Sequence, residues 1–336
     1  MQKITYLENP IYFESHSAVG GFEEGRGPLG ECFDLIDDKD LFGMKTWEKA
    51  EGEMSRLALN LALKKRSLEP SDLNVLVAGD LQNQCVASSG GLFTFGVPFL
   101  GLYGACSTCT ESLLVLTSML TTSKNYTRGA SVTSSHNCAA ERQFRTPIEY
   151  GGQRTPTSQW TATASGAFIL SKVPSRAKIT AFMPGKIIDG YTKDQSNMGA
   201  AMALSAFDSI SRFFEENDPD SFDLILTGDL GQVGSSVLES LLCEKLTRYG
   251  TKLASLHKDA GLLIYDLNKQ DVHSGASGCG CSASVLSTYV LPRVERGEIS
   301  KMLLLSTGAL MSSSSVSQGD NILGVAPLIQ IESEAN

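Results

Sequence analysis

Gly104-Ala105-Cys106-Ser107 sets a thiol among small residues, between an apolar run at 97–102 and a helical pattern over 108–123. A cysteine at a strand-to-helix turn meets the unpaired N–H groups and the positive dipole end of the helix. That setting favours thiolate and suits a nucleophile. It suits equally the seat of a ligand carboxylate. A cysteine packed in a tight turn is the plainer alternative, and the residue type alone leaves all three open. Other polar residues stand at neighbouring element ends: Asp80 in Gly79-Asp80-Leu81, Asp229 in Gly228-Asp229-Leu230, and His136-Asn137 after the run 130–135. Arg142, Arg145 and Arg154 form the densest positive cluster near these turns, with Glu141 and Glu149 close enough to neutralise it. A planar guanidinium fork matches a carboxylate. Ser107, Gln82, Asn83 and Ser282 offer neutral hydrogen bonds, and the two aspartates could also simply cap helix starts. His257, His273 and His16 read as surface, turn or arm residues.

Several chemistries are disfavoured. The pairs Cys106/Cys109 and Cys279/Cys281 have zinc-like spacing, but the flanks of a zinc knuckle are missing and the first pair runs straight into a helical pattern. The eight cysteines are scattered through apolar or small-residue contexts, as reduced thiols are. There is no phosphate-binding loop, HExxH or dinucleotide fingerprint. The net charge is −9 and Lys64-Lys65-Arg66 is the longest basic run, which argues against a nucleic-acid partner. No apolar stretch is long enough to span a bilayer, and MQKITYLENP lacks a signal-peptide core. The expectation is a protein of the cytoplasm or another reducing compartment, reaching a membrane only through a partner or a surface patch.

The elements that must hold these residues alternate between strand and helix. Residues 1–46, rich in glycine, read as a looped arm. Trp47, Ala50, Met54, Leu57, Ala58, Leu61 and Ala62 give helical periodicity over 47–66. Strands follow at 73–78, 97–102, 130–134 and 161–171, with a long polar loop at 141–160. The order then recurs: a strand at 222–227 closed by Gly-Asp-Leu, a Cys-Ser helix start at Cys281-Ser282, and a returning strand from Lys301. Such recurrence indicates an internal duplication, and the alternation argues for sheets covered by helices. A break near Pro174 divides the chain into 1–172, carrying the arm, and 173–336.

Two such halves with a cysteine at a strand-to-helix turn resemble the thiolase superfamily. GPLGECFD (27–34), KTWEKAE (45–51), AGDLQNQ (78–84), PFLGLYGACST (98–108), TSSHNCAAERQFRTPIEYGGQ (133–153), LTGDLGQVGS (226–235) and SGCGCSAS (277–284) resemble the stage V sporulation protein AD family across nearly the whole chain. The resemblance implies a five-layered α-β-α-β-α fold of two duplicated halves. It also implies binding of dipicolinic acid and a part in its uptake into the developing spore, peripheral to the spore inner membrane, with membrane proteins of the same operon as partners. A homodimer through 97–102 would follow the habit of thiolase relatives. No cofactor is implied, although calcium could accompany dipicolinate. Condensing relatives set a His and an Asn beside the nucleophile; those positions fall here at Gly228-Asp229 and at Cys279. Without an imidazole the usual donor to a thioester oxyanion is missing. The expected ligand set is Cys106, Ser107, His136, Asn137, Asp80, Asn83, Arg142, Arg145, Asp229 and Cys279. Acyl transfer through Cys106 is the rival reading.

Overall fold

A computed structural model describes residues 4–144 and 154–334. Its main sheet runs in the order His257–Asp259, Leu224–Thr227, Lys301–Leu305, Leu328–Ser333, Ala177–Met183, Thr5–Gly21, Ala164–Ser171, Arg128–Ser135, Val75–Gly79, Phe99–Gly101, with Leu35–Asp37 added beside Thr5–Gly21. Numbered along the chain within each half, the strands lie as 3-2-4-5-1 both times. The directions agree too. Strand 2 pairs parallel with strands 3 and 4, and strand 5 pairs antiparallel with 4 and 1. Thr5–Gly21 and Ala177–Met183, the two first strands, pair antiparallel and join the halves.

Both faces of each half-sheet are covered, so strands such as Val75–Gly79, Leu224–Thr227 and Lys301–Leu305 are nearly all apolar rather than alternating. Val75 and Val77 face an inner core with Leu224, Leu226, Met302 and Leu304. Leu76 and Ala78 face outward onto Ala50, Met54 and Ala58 of the helix Trp47–Lys64. In the second half Ile225, Leu303 and Leu305 face outward onto the helix Met198–Phe213. The inner core is filled by Thr108–Thr122 and by the helical run from Cys279 to Glu295. The layers are therefore helix, sheet, central helices, sheet, helix. In each half the outer helices cross at a pair of glycines. A Cβ on Gly91 would sit 2.0 Å from the Gly52 carbonyl, and one on Gly234 would sit 2.6 Å from that of Gly199.

The residues read as a looped arm contain instead the long strand Thr5–Gly21. Its buried positions Ile11, Phe13, Ser15 and Ser17 do alternate, but a bulge between Phe13 and Ser15 turns the face, so Ile11 and Phe13 enter the inner core while the two serines meet the outer helix. Ser15 and Ser17 donate to the carbonyls of Ala62 and Ala58 on the covering helix, at 2.7 and 2.6 Å, so polar residues fill apolar positions. Gly20 ends the strand under the Phe33 ring, where a Cβ would lie 2.8 Å away. Residues 141–144, expected as loop, belong instead to the helix Asn137–Phe144, and residues 145–153 of that expected loop fall outside the described residues. Glu24 ties the halves together: its buried carboxylate accepts from Gly21 N, Thr163 N and the Tyr265 hydroxyl.

Candidate functional site

The Cys106 turn is a single 3-10 turn, Ala105–Ser107, leading into the helix Thr108–Thr122. It is tightly knotted. Ser107 N and Oγ donate to the Gly104 carbonyl, Gly104 N donates to Thr108 Oγ1, and that hydroxyl donates to the Ala105 carbonyl. Ala105 has φ +52°, the left-handed region that costs a side-chain-bearing residue free energy. The end of the strand Lys301–Leu305 closes over the turn. Ser306 and Thr110 exchange hydrogen bonds, and a Cβ on Gly308 would meet the Gly104 carbonyl at 2.3 Å.

Asp229 follows the strand Leu224–Thr227 and points its carboxylate at this turn. The carboxylate accepts from Gly278 N at 2.8 Å and from Thr307 Oγ1 at 3.3 Å, and the Cys106 thiol lies close enough to affect its titration. Burial pushes its pKa up to about 7, with Asp259 adding to the shift and the Cys106 and Gly278 donors opposing it. The effect on Cys106 reverses the expectation for a helix start. Burial first, and then the neighbouring Asp229 carboxylate, raise the thiol well above its ordinary value. A half-charge of helix dipole on a short turn does not offset both a buried sulfur and an adjacent carboxylate. Cys106 is a thiol, not a thiolate.

Cys279 packs against Cys106 with Leu81 and Ala140, and donates its thiol to the Ser134 carbonyl at 3.0 Å. Cys106, Asp229 and Cys279 are thus brought together. Tyr103 was missed by the sequence reading. Its phenol is pushed up by burial and by Cys106, Cys279 and Asp80, so its hydroxyl shares their surroundings although the residue is half exposed. Thr307 and the Gly278 N–H were also missed. A signal existed for Thr307, which follows a returning strand just as Ser134-Ser135 ends its counterpart.

Other expected residues are engaged elsewhere. Ser107 and Ser282 hydroxyls donate to carbonyls of their own turns, and Gln82 donates to Glu51. Asp80 is wholly buried and accepts from Gln82 N and from both N and Oγ of Ser88, in the manner of a cap. His136 turns its Nε2 to the Asp40 carbonyl at 2.8 Å and lies tilted against Trp47; burial holds its pKa below the usual range. Asn137 opens the helix Asn137–Phe144, its N–H donating to Thr163 Oγ1. Asn83 is exposed at the start of the turn Asn83–Cys85. Arg142 lies on the helix Asn137–Phe144, while Arg145 and Glu149 fall outside the described residues. Arg154 pairs with Asp271 at 2.6 Å and stacks on Trp160, so its fork is taken. His257, expected at the surface, is buried between Thr227 Oγ1 and Glu239 Oε1 because 257–259 is the edge strand of the second half. Among the described residues no group of three or more His, Cys, Asp or Glu side chains is arranged to hold a metal.

A family model described as "Stage V sporulation protein AD" matches residues 1–332. The chain belongs to the stage V sporulation protein AD family. A family member from Bacillus subtilis (strain 168) is 40% identical over 322 residues, covering 95% of this chain and 94% of the relative. Solved structures share the fold at much lower identity. The 3-oxoacyl-[acyl-carrier-protein] synthase III of Aquifex aeolicus VF5 matches 97% of this chain and all of its own, with TM-score 0.53 and 11% identity. The tetronic acid condensing enzyme AbyA1 matches 96% of this chain and 99% of its own, with TM-score 0.59 and 12% identity. The protein is thus a sporulation protein of thiolase-like fold. No helix among the described residues of this family member is long and apolar enough to cross a membrane.

Proposed function

We propose that this protein is a thiolase-fold pseudoenzyme that binds dipicolinic acid in the crevice at Cys106 and takes part in its uptake into the developing spore. The observation that carries the reading is the buried Asp229 carboxylate set beside the buried Cys106 thiol, where it raises the thiol's pKa. A condensing enzyme needs a thiolate and a neutral or cationic donor for the developing oxyanion. Here the thiol is held protonated and its neighbour is an acid. What remains is a buried, partly polar cluster of Cys106, Asp229 and Cys279 where the two halves meet, in a family tied to sporulation. In this reading the protein is peripheral to the spore inner membrane and is held there by membrane proteins of its operon. The edge strand Phe99–Gly101 pairs two copies, and the ligand arrives as the free dianion or with calcium.

Calorimetry of the purified protein with dipicolinate, with and without calcium, tests the reading. Cys106→Glu, checked for an unchanged circular dichroism spectrum, is expected to abolish binding; unchanged binding would move the ligand elsewhere. The second reading, acyl transfer, rests on Cys106 retained at the turn before a central helix. Mass spectrometry after incubation with acyl-CoA is expected to show no acyl group on Cys106. A stable acyl adduct that passes to a second substrate would restore the enzyme.

A further inference from the structure

Glu51 lies on the inner face of the helix Trp47–Lys64 and is wholly buried. It is joined to Asp80 through one glutamine: Gln82 donates its backbone N–H to Asp80 Oδ1 at 2.8 Å and its Nε2 to Glu51 Oε2 at 2.7 Å. The remaining described partners are also neutral. Ser88 serves Asp80, and Ser134 Oγ donates to Glu51 Oε1 at 3.1 Å. Among the described residues neither carboxyl has an ion-pair partner. Two buried carboxylates without a cation cannot both stay ionised; one proton between them removes most of the repulsion. The pair also touches the site. Ser134, which donates to Glu51, gives its carbonyl to the Cys279 thiol, and Cys279 packs against Cys106.

We propose that Glu51 and Asp80 share a proton behind the ligand seat, and that an aromatic dicarboxylate is bound there together with a proton taken up by this pair. The inference rests on the reading of the Cys106 crevice as a dicarboxylate site. A dianion placed beside Cys106 faces Asp229 on one side and this pair on the other, so its binding favours every carboxyl that takes up a proton. The groups facing the pair are Glu48 from its own helix, Cys85 and Tyr103 from the segments flanking the edge strand, and Cys279 from the central helix. The thiols and the phenol are all raised by burial, so none of them ionises between pH 7 and 9. Burial and Asp80 carry Glu51 up to about 8, which places the titration inside that window.

The test is calorimetry of the full-length protein with dipicolinate in phosphate and in Tris at pH 7, 8 and 9. These buffers differ in ionisation heat, and the ligand stays doubly ionised throughout. The pair's share of the uptake is expected to be about half a proton at pH 8, rising towards one at pH 9, on top of the proton taken up by Asp229, which is also ionised above about pH 7. Glu51→Gln keeps the size and an acceptor oxygen; it is expected to bind dipicolinate but to lose the pair's share of the uptake and of the pH slope. Asp80→Asn is a second variant should the first misfold, with the same loss expected. Asp229→Asn removes its own share and is expected to keep the pair's. Buffer-independent heats at pH 8 and 9, or an uptake lost in Asp229→Asn and kept in Glu51→Gln, overturn the coupling while leaving the ligand site standing. Absence of dipicolinate binding at every pH overturns the ligand reading instead. The shared proton is checked without ligand: protonated-carboxyl infrared absorption at pH 7, to which Glu24 and Asp229 also contribute, should lose one group's share in Glu51→Gln, and absorption that persists unchanged sinks the pair.

Discussion

The turns after Val75–Gly79 and after Leu224–Thr227 stand at the same place in the two halves and carry the same Gly-Asp-Leu step, yet their aspartates meet different chemistry. Asp80 turns back on its own half and accepts from Gln82 and Ser88, close in sequence. Asp229 reaches across to Gly278, Thr307 and the Cys106 thiol, the last of these from the other half. Duplication preserved the scaffold, including the strand order and the glycine crossings. The side chains at the facing turns diverged, so that one aspartate secures a loop and the other raises the pKa of a cysteine.

The shared scaffold predicts the largest effect. Gly91→Ala and Gly234→Ala each push a Cβ into a carbonyl at helix–helix contact distance, at 2.0 and 2.6 Å. Each is expected to cost about 3 kcal/mol in urea unfolding, since overpacking against backbone leaves little room to relax. Similar losses would sharpen the equivalence of the halves; a loss in one alone would break it.

The buried acids give the next effect. Glu24 and Asp229 are held up to about 7 and Glu51 up to about 8, all above their unfolded values and mainly by burial. A carboxyl raised on folding binds more protons in the native state. Its contribution is therefore complete at low pH and is lost as pH rises through the folded value. Stability should fall from pH 5 to 8.5, by roughly 1.4 kcal/mol per unit for each group that titrates. Melting curves across this range check the sign; Glu51→Gln should lessen the slope from pH 5 up to about 8 and remove most of it between pH 7 and 8, where Glu24 and Asp229 have already titrated.

Asp229→Asn removes a negative neighbour from Cys106 and should speed its alkylation by iodoacetamide at pH 8 by roughly tenfold, the equivalent of one pKa unit. Asp80→Asn, in the equivalent turn, should leave the Cys106 rate almost unchanged. Equal acceleration in both variants would erase the contrast between the two turns. The smallest effect concerns the thiol as a ligand contact. Cys106→Ala should weaken dipicolinate binding by about 1 kcal/mol, the worth of one neutral hydrogen bond. A much larger loss in calorimetry would give the sulfur a covalent or anionic role.

Much of the scaffold was legible from residue patterns. The helix Trp47–Lys64, the helix Thr108–Thr122 and the apolar strands around Leu76 and Ile225 carry enough hydrophobic surface in the right period to be read directly. The repeated Gly-Asp-Leu turn and the two Cys-Ser helix starts announced the duplication. The strand Thr5–Gly21 did not show, because its buried serines satisfy themselves on a helix some forty residues away. His257 looked exposed among charged neighbours, but an edge strand buries it against Glu239.

Chain order by itself determined the architecture: two like halves, each a strand–helix alternation whose apolar faces can be buried only between layers. It also placed Cys106 at the head of a central helix. The state of that cysteine was decided only by tertiary structure. Local sequence gives the sulfur a helix terminus, which favours thiolate. The fold removes its water and brings up Asp229 from more than a hundred residues away, and both act on the same proton. Desolvation and through-space charge depend on what the chain places around an atom, and no run of neighbouring residues carries that information.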